Sequence, residues 1–333
     1  MKIVALKISK ESSFALSLPN INVILCSLTV VNYELIIVRY GEIALKGKEI
    51  RKRFENILVS NIKNAFDTEN LTSKITKEWG RIYIYTTQIK KCINVLQKIF
   101  GITSISPASQ TTSNMNSMSK LAIDISKEEL NETKSFAIRA TRTGKHKFTS
   151  QEVAIKIGTD IRKATKASVN LTKPDFKLFM EIRNDKAFLF TQKIRGVGGM
   201  PIGTQGKILA LMDSPKSIFA AWYLIRRGCK PIFVNTKEFD RDILKVFMEN
   251  WFVKSDIHTV NSENNIYEEI KKIANEKNCD AVVTNHTVFD DSKNALSEIR
   301  QLKESVNLPI LHPLIAMDKE EVIKKCKEIG LSI

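Results

Sequence analysis

Disulfides, zinc clusters and membrane spans are all missing from this sequence. Its five cysteines (Cys26, Cys92, Cys229, Cys279 and Cys326) are scattered over 333 residues without a C-x-x-C pair, and the four histidines stand apart from them and from one another. Neither a disulfide framework nor a zinc site is therefore indicated, and no metal ligands are expected. The thiols read as small buried hydrophobes of a reducing, cytoplasmic compartment. No run approaches the roughly 18 uninterrupted apolar residues of a membrane helix. The apolar patches near the N-terminus lack a small-residue cleavage site, which argues against a signal peptide. Glycine is scarce where it would matter most: none of the 13 falls between Gly206 and Gly228.

Positive charge, by contrast, is abundant and unevenly placed. Lys and Arg number 52 against 36 Asp and Glu, a formal net charge of +16. From Pro201 onward the two are equal at 19 each, so the whole excess, 33 against 17, lies in residues 1–200. Charge segregated onto one part of a chain is an electrostatic footprint for a polyanion. Nucleic acid is the first partner this implies, a membrane surface the second. The length allows two or three domains.

Tyr33–Tyr40 alternates as a strand, and the chain then turns through Gly41 and Gly47 into an amphipathic helix. Ile50, Phe54, Ile57, Leu58 and Ile62 form its apolar face, with Lys46, Lys48, Arg51, Lys52 and Arg53 opposite. Gly80–Thr86 predicts a strand and Ile93–Phe100 a helix, completing a small α+β unit. From Ser109 to Gln192 the pattern reads helix, strand, helix, strand, strand. Lys134–Thr141 is the first strand, Gln151–Ala164 a helix begun at Thr149 or Ser150, and Asn170–Leu171, Lys177–Arg183 and Lys186–Gln192 further strands. Phe148 and Phe176 read as core rather than as platforms for bases. Arg139, Arg142, Lys145, His146 and Lys147 fall in and beside one loop, RTGKHKFTS, which can present several cations to phosphates at once. Arg suits bidentate phosphate contact and Lys acts as a point charge. Such contacts give affinity and salt dependence without sequence readout.

A glycine-rich connector (Gly196, Gly198, Gly199, Gly203, Gly206) leads into a strand at Ile208–Met212, a turn at Asp213-Ser214-Pro215 and a helix through Leu224. Strands at Ile232–Val234, Ile257–Val260, Ala281–Thr284 and Leu308–Leu311 alternate with helices at Asp240–Trp251, Ile266–Asn278, Lys293–Ser305 and Asp318–Gly330, with Asp318 as N-cap. That alternation argues for a doubly wound, mostly parallel sheet, whose ligands bind beyond the carboxyl ends of its strands. In the turn MDSPKSIF, Ser214 reads as the N-cap and Pro215 as the first helical residue. The alternative, that Ser214, Lys216 and Ser217 bind an anion at the positive end of the helix dipole, stays open.

Several stretches carry a family resemblance. YELIIVRYGEIALKGK, GGMPIGTQGK, AAWYLIRRGC and LPILHPLIAMDKEEVIKKCKEIG resemble the tRNA 4-thiouridine synthetases, the ThiI family, which also supply sulfur for thiamine synthesis. FAIRATRTGKHKFTSQEVAIKIGTDI and PDFKLFMEIRNDKAFLFTQKI resemble the THUMP domain, an RNA-binding module of tRNA-modifying enzymes. The resemblance implies α+β ferredoxin-like and THUMP domains over residues 32–108 and 109–195, followed by an α/β doubly wound, mostly parallel-sheet, PP-loop-like domain over 196–333. Because it begins at about Tyr33, residues 1–31 are expected to be a leader, disordered or untranslated, with the true start at Val30 or Val31. It further implies tRNA as partner and ATP as cofactor: ATP activates the C4 oxygen of a uridine as an adenylate, and persulfide sulfur displaces AMP.

The sequence departs from the family where that chemistry should lie. The family's pyrophosphate loop, S-G-G-x-D-S, has become MDSPKSIF, and without glycine the backbone does not readily take the positive φ such a cradle needs. A second stretch, T-G-(E/D)-S-L-G-Q-V-A-S-Q-T, is replaced by Thr284-Asn285-His286-Thr287-Val288-Phe289-Asp290, and an Arg before Pro-Leu-Ile is His312. The active cysteine has no counterpart, so no catalytic residue is assigned, and the chain stops at Ile333 where family members continue. The adenine-pocket positions align with Leu211, Met212, Asn235 and Thr236. Two readings stay open: a tRNA-binding adaptor with a degenerate, shortened α/β domain, or an ATP-dependent tRNA sulfurtransferase completed by a partner. That partner would be a cysteine desulfurase-like enzyme, a persulfide carrier or another tRNA-modifying enzyme. A homodimer is also left open.

Overall fold

The computed structural model describes residues 33–236, 239–260, 266–289 and 295–331. The leader, Cys26, Asp290 and the first two residues of the helix expected from Lys293 lie outside them. Two units emerge from the contacts: residues 33–204 with 226–228, and residues 205–225 with 229–331.

The first unit is built on a sheet ordered β2-β3-β1-β4-β8-β7-β5-β6, with β9 beside β4. Its strands are β1 (Leu35–Tyr40), β2 (Lys74–Glu78), β3 (Arg81–Tyr85), β4 (Ile102–Thr112), β5 (Ser135–Thr143), β6 (Ser168–Val169), β7 (Phe176–Arg183), β8 (Lys186–Phe190) and β9 (Ile194–Arg195). Strand β4 carries both halves: Ile102 to Ala108 pair with β1, and Ser109 to Thr112 pair with β8, all antiparallel. Helices α1 (Lys48–Thr68) and α2 (Ile89–Leu96) belong to the ferredoxin-like half, and α3 (Met115–Lys127) and α4 (Ser150–Thr165) to the other.

Helix α1 buries Phe54, Leu58, Ile62, Ala65 and Phe66, a stripe at helical spacing. Ile50, expected on that stripe, is 46% exposed, because it sits in the first turn beyond the reach of the sheet. Helix α2 begins four residues earlier than the sequence pattern suggests. Ile99 and Phe100 are buried all the same, since they pack from the turn after the helix. Strand β6 ends at Val169, and Asn170–Leu171 is not a strand. There the Asn170 side chain accepts from the Thr172 and Lys173 N–H groups at 3.1 and 3.0 Å, the local bonding by which Asn diverts a chain into a turn.

Helix α4 starts at a capping box. Thr149 Oγ1 accepts from the Glu152 N–H, and Glu152 accepts from the Thr149 N–H at 2.7 Å. Its Val153, Ile157 and Ile161 join Met118, Ala122 and Ile125 of α3 over Phe136, Leu178, Met180 and Leu189 of the sheet. Phe176 is 5% exposed within this cluster and Phe148 packs against it, as expected for core. Thr149→Ala should lower stability by about 1 kcal/mol, measured as a urea-midpoint shift, whereas Thr149→Ser should leave it nearly unchanged.

The second unit is a five-stranded, all-parallel sheet ordered β12-β11-β10-β13-β14. Its strands are β10 (Lys207–Met212), β11 (Lys230–Asn235), β12 (Ile257–Thr259), β13 (Ala281–Val283) and β14 (Ile310–Leu311). Helices α5 (Pro215–Arg226), α6 (Arg241–Asn250), α7 (Ile266–Glu276), α8 (Ala295–Ser305) and α9 (Lys319–Glu328) connect them. Asp240 and Asp318 cap α6 and α9 by accepting from Asp242 and Glu321 N–H groups. The strand order reverses between β10 and β13, so the crevice beyond their carboxyl ends is the topological switch point. This is the doubly wound arrangement that the β and α alternation predicts.

Candidate nucleic-acid interface

Alternation along the strands gives the first unit's sheet two unlike faces. One packs under α3 and α4. On the other, Arg139 of β5 and Lys177, Phe179, Glu181 and Arg183 of β7 line a cleft of about 540 Å3, together with Arg39 of β1, Arg81 of β3, Phe190 of β8 and Lys193. Six cations thus surround a single carboxylate. The cleft's floor is aromatic: Phe179 and Phe190 stack with centroids 5.3 Å apart. Arg39 lies over the Phe190 ring at 4.9 Å and Lys193 over Phe179 at 4.5 Å.

Glu181 organises the charges. One of its oxygens, Oε1, accepts from Arg39 Nε and Nη2 at 2.9 and 2.6 Å, and Oε2 accepts from Arg81 Nε at 2.8 Å. Arg39 Nη1 also donates to Ser106 Oγ at 2.9 Å. Burial pushes the Glu181 carboxyl up, but Arg39 and Arg81 more than reverse this and hold it below the usual carboxylate range. Burial also lowers Lys193, and neighbouring Arg39 lowers it further. With one carboxylate shared among so many cations, the cleft retains a positive field that an entering phosphate would neutralise.

The cations picked out in the sequence are placed as follows. Lys46, Lys48, Lys52 and Arg53 are exposed on and before the first turns of α1, with Arg51 half-buried beside them. Arg139 lies on β5 as expected, and Arg142 belongs to that strand rather than to the loop; being three residues apart they point to opposite faces. Arg139 lines the cleft and donates to the Leu171 carbonyl; Arg142 donates to the Gly144 carbonyl at 3.4 Å. Lys145 and Lys147 are exposed. His146 is tied down instead, its Nε2 2.7 Å from the Asn184 carbonyl and its ring 5.2 Å from Phe148. Arg39, Arg81, Lys177, Arg183 and Lys193 escape the sequence reading altogether. The one signal for them is the polar parity of β7, FKLFMEIR, in which Lys177, Glu181 and Arg183 share a side.

At the switch point of the second unit, the turn after β10 is closed by side-chain hydrogen bonds centred on Asp213. Asp213 Oδ1 accepts from Ser214 Oγ, Ser217 Oγ and Asn285 Nδ2 at 2.9, 2.5 and 2.7 Å. The Asp213 N–H donates to Ser217 Oγ at 3.2 Å. Ser214 therefore does not act as the expected side-chain cap: its hydroxyl is turned to Asp213, and only its carbonyl enters the helix, accepting from the Ser217 N–H at 3.0 Å. Lys216 Nζ donates to Thr287 Oγ1 at 3.0 Å. The side-chain donors of this turn are thus bonded to the Asp213 carboxylate. The adenine-pocket positions are similarly engaged. Met212 is fully buried, its carbonyl accepting the Thr236 N–H at 3.0 Å, while Leu211 packs on the core and Asn235 Nδ2 donates to the Phe239 carbonyl at 3.0 Å.

Three of the described cysteines, Cys92, Cys279 and Cys326, are buried, while Cys229 is partly exposed. Burial raises the thiols of Cys92 and Cys279, and pushes Cys326 up to about 12 against the opposing pull of Lys216. Cys279 follows the end of α7. Among the described residues, no group of three or more His, Cys, Asp or Glu could hold a metal, and no helix is long and apolar enough to cross a membrane.

Comparison with known proteins places these features. The ThiI ferredoxin-like domain matches residues 35–106, the THUMP domain residues 112–192, and the thiamine biosynthesis protein (ThiI) model residues 242–332. A probable tRNA sulfurtransferase of Methanobrevibacter smithii is 33% identical over 90% of this chain and 87% of its own. The chain belongs to the tRNA sulfurtransferase (ThiI) family. Another member, from Methanocaldococcus jannaschii, is 32% identical over 89% of this chain and 87% of its own. Among solved structures, a 4-thiouridine synthetase–RNA complex with bound ATP superposes with a TM-score of 0.77 at 28% identity, over 90% of this chain and 85% of that one. PH1313 from Pyrococcus horikoshii Ot3 gives the same TM-score at 29% identity, over 90% and 100%. Within the family, residues 193–241, which include the Asp213 turn, fall between the second and third matched segments.

Proposed function

We propose that this chain is a tRNA-binding protein of tRNA thiolation whose first unit holds the RNA and whose second unit does not use ATP. The observation that carries the reading is the Phe179–Phe190 cleft, in which six cations share one carboxylate. Phosphates supply affinity in such a cleft. The relatives named tRNA sulfurtransferase and the RNA-bound 4-thiouridine synthetase make tRNA the natural ligand. Binding along the domains at 32–108 and 109–195 would draw on Arg139, Arg142, Lys145, Lys147 and the α1 cations. The hydrogen-bonded Asp213 turn supports an adaptor rather than a catalyst, acting in the cytoplasm beside a tRNA-modifying enzyme or a persulfide-carrying partner.

Incubating the purified protein with tRNA and labelled ATP, with and without a sulfide donor, tests this reading. The expected result is no tRNA-dependent release of AMP. Release that requires tRNA would establish the second reading, a working sulfurtransferase completed by a sulfur-donating partner, which the 33% identity to a probable tRNA sulfurtransferase favours.

A further inference from the structure

Trp79 is the large aromatic side chain that the fold leaves in solvent beside these cations. It is 68% exposed, on the two-residue turn between β2 and β3, where Glu78 and Arg81 close the ladder. Gly80, with φ +75°, supplies the left-handed backbone that the second turn position requires. Single exposed hydrophobics usually need no explanation. Trp79 differs in what surrounds and fixes it.

Arg183 donates to the Trp79 carbonyl, and Arg81 Nη1 donates to the Gly80 carbonyl at 2.6 Å. Both arginines line the cationic cleft, so the turn is anchored at its mouth by the residues that form its wall. On the other side, Arg51 of α1 lies 5.8 Å from the Trp79 ring centroid. The indole thus joins the cleft to the cationic surface of α1. An exposed aromatic face on an anchored turn, flanked by arginines, is the arrangement that binds single-stranded nucleic acid by stacking, with the charges tracking the backbone.

We propose that Trp79 is a stacking platform for an unpaired base of the bound RNA, positioned at the mouth of the cleft by Arg81 and Arg183. The inference rests on the RNA-binding reading above. Stacking contributes affinity without phosphate neutralisation, so its loss leaves the salt dependence alone. Because the site takes the face of a base, it acts on unpaired nucleotides and not on a closed duplex.

The test compares wild type, Trp79→Phe and Trp79→Ala of the full chain, titrated against a labelled single-stranded oligoribonucleotide and a blunt-ended RNA duplex at several salt concentrations. Trp79→Ala should bind the single strand about tenfold more weakly with an unchanged log–log salt slope, and Trp79→Phe should retain most of the affinity. Neither should change duplex binding. Wild-type tryptophan fluorescence should be quenched by the single strand, and Trp79→Phe should lose that quench. Equal single-strand affinity for wild type and Trp79→Ala, or an equal loss on the duplex, would overturn the stacking role alone. Failure of the wild type to bind either RNA would overturn it together with the RNA-binding reading.

Discussion

Replacing Glu181 by Gln is expected to destabilise the first unit by roughly 3–5 kcal/mol, because it leaves two arginines without their counter-charge in a buried setting. Glu181 is 7% exposed and Arg39 9%, so water cannot take over the lost contacts. The measurement is the urea transition of that unit, followed separately from the second unit. A loss below about 1 kcal/mol would put the pair in the class of exposed ion pairs and refute its organising role. The same residue sets a pH dependence. Its carboxyl titrates below the ordinary range when folded, so the stabilisation is complete above the unfolded carboxylate pKa of about 4.3 and is lost as pH falls through the lower folded value. Wild type should therefore lose stability more steeply than Glu181→Gln on the acid side.

Replacing Arg139, Arg142 and Lys145 together by Ala should weaken tRNA binding and reduce the log–log salt slope by about 2–3, the loss of three phosphate contacts. The variant should fold normally, because all three side chains are exposed. An unchanged affinity and slope would remove β5 and its following loop from the interface. The structure sharpens this expectation. Arg139 faces the cleft whereas Arg142 and Lys145 do not line it, so Arg139→Ala alone should account for the part of the loss that is shared with the cleft.

Much of the architecture was legible because local chemistry and tertiary packing agree. Thr149 announces the start of α4 and Asp318 that of α9, since orphan N–H groups at a helix start need an acceptor whatever the surroundings. The alternation of short apolar strands with amphipathic helices after Gln205 leads to the parallel sheet in the same way. Where the sequence pattern misled, burial and secondary structure had parted. Ile99 and Phe100 are core residues outside any helix, Ile50 is a helix residue outside the core, and Asn170 spends its side chain on a turn.

The candidate site was less legible. The sequence alone determined that positive charge is concentrated in the first 200 residues and that the turn after β10 lacks glycine, since composition and the absence of a residue type need no fold to be seen. It could not determine which cations act together. Arg39, Arg81 and Glu181 lie far apart along the chain and meet because β1 and β3 continue through β4 into the sheet that contains β7. Nor could it show that Asp213 would turn its carboxylate onto Ser214, Ser217 and Asn285, because Asn285 arrives from the end of another parallel strand. Charge is additive and survives any rearrangement of the chain; a cleft and a hydrogen-bonded cluster depend on distances of a few ångströms, and only strand order and register set those.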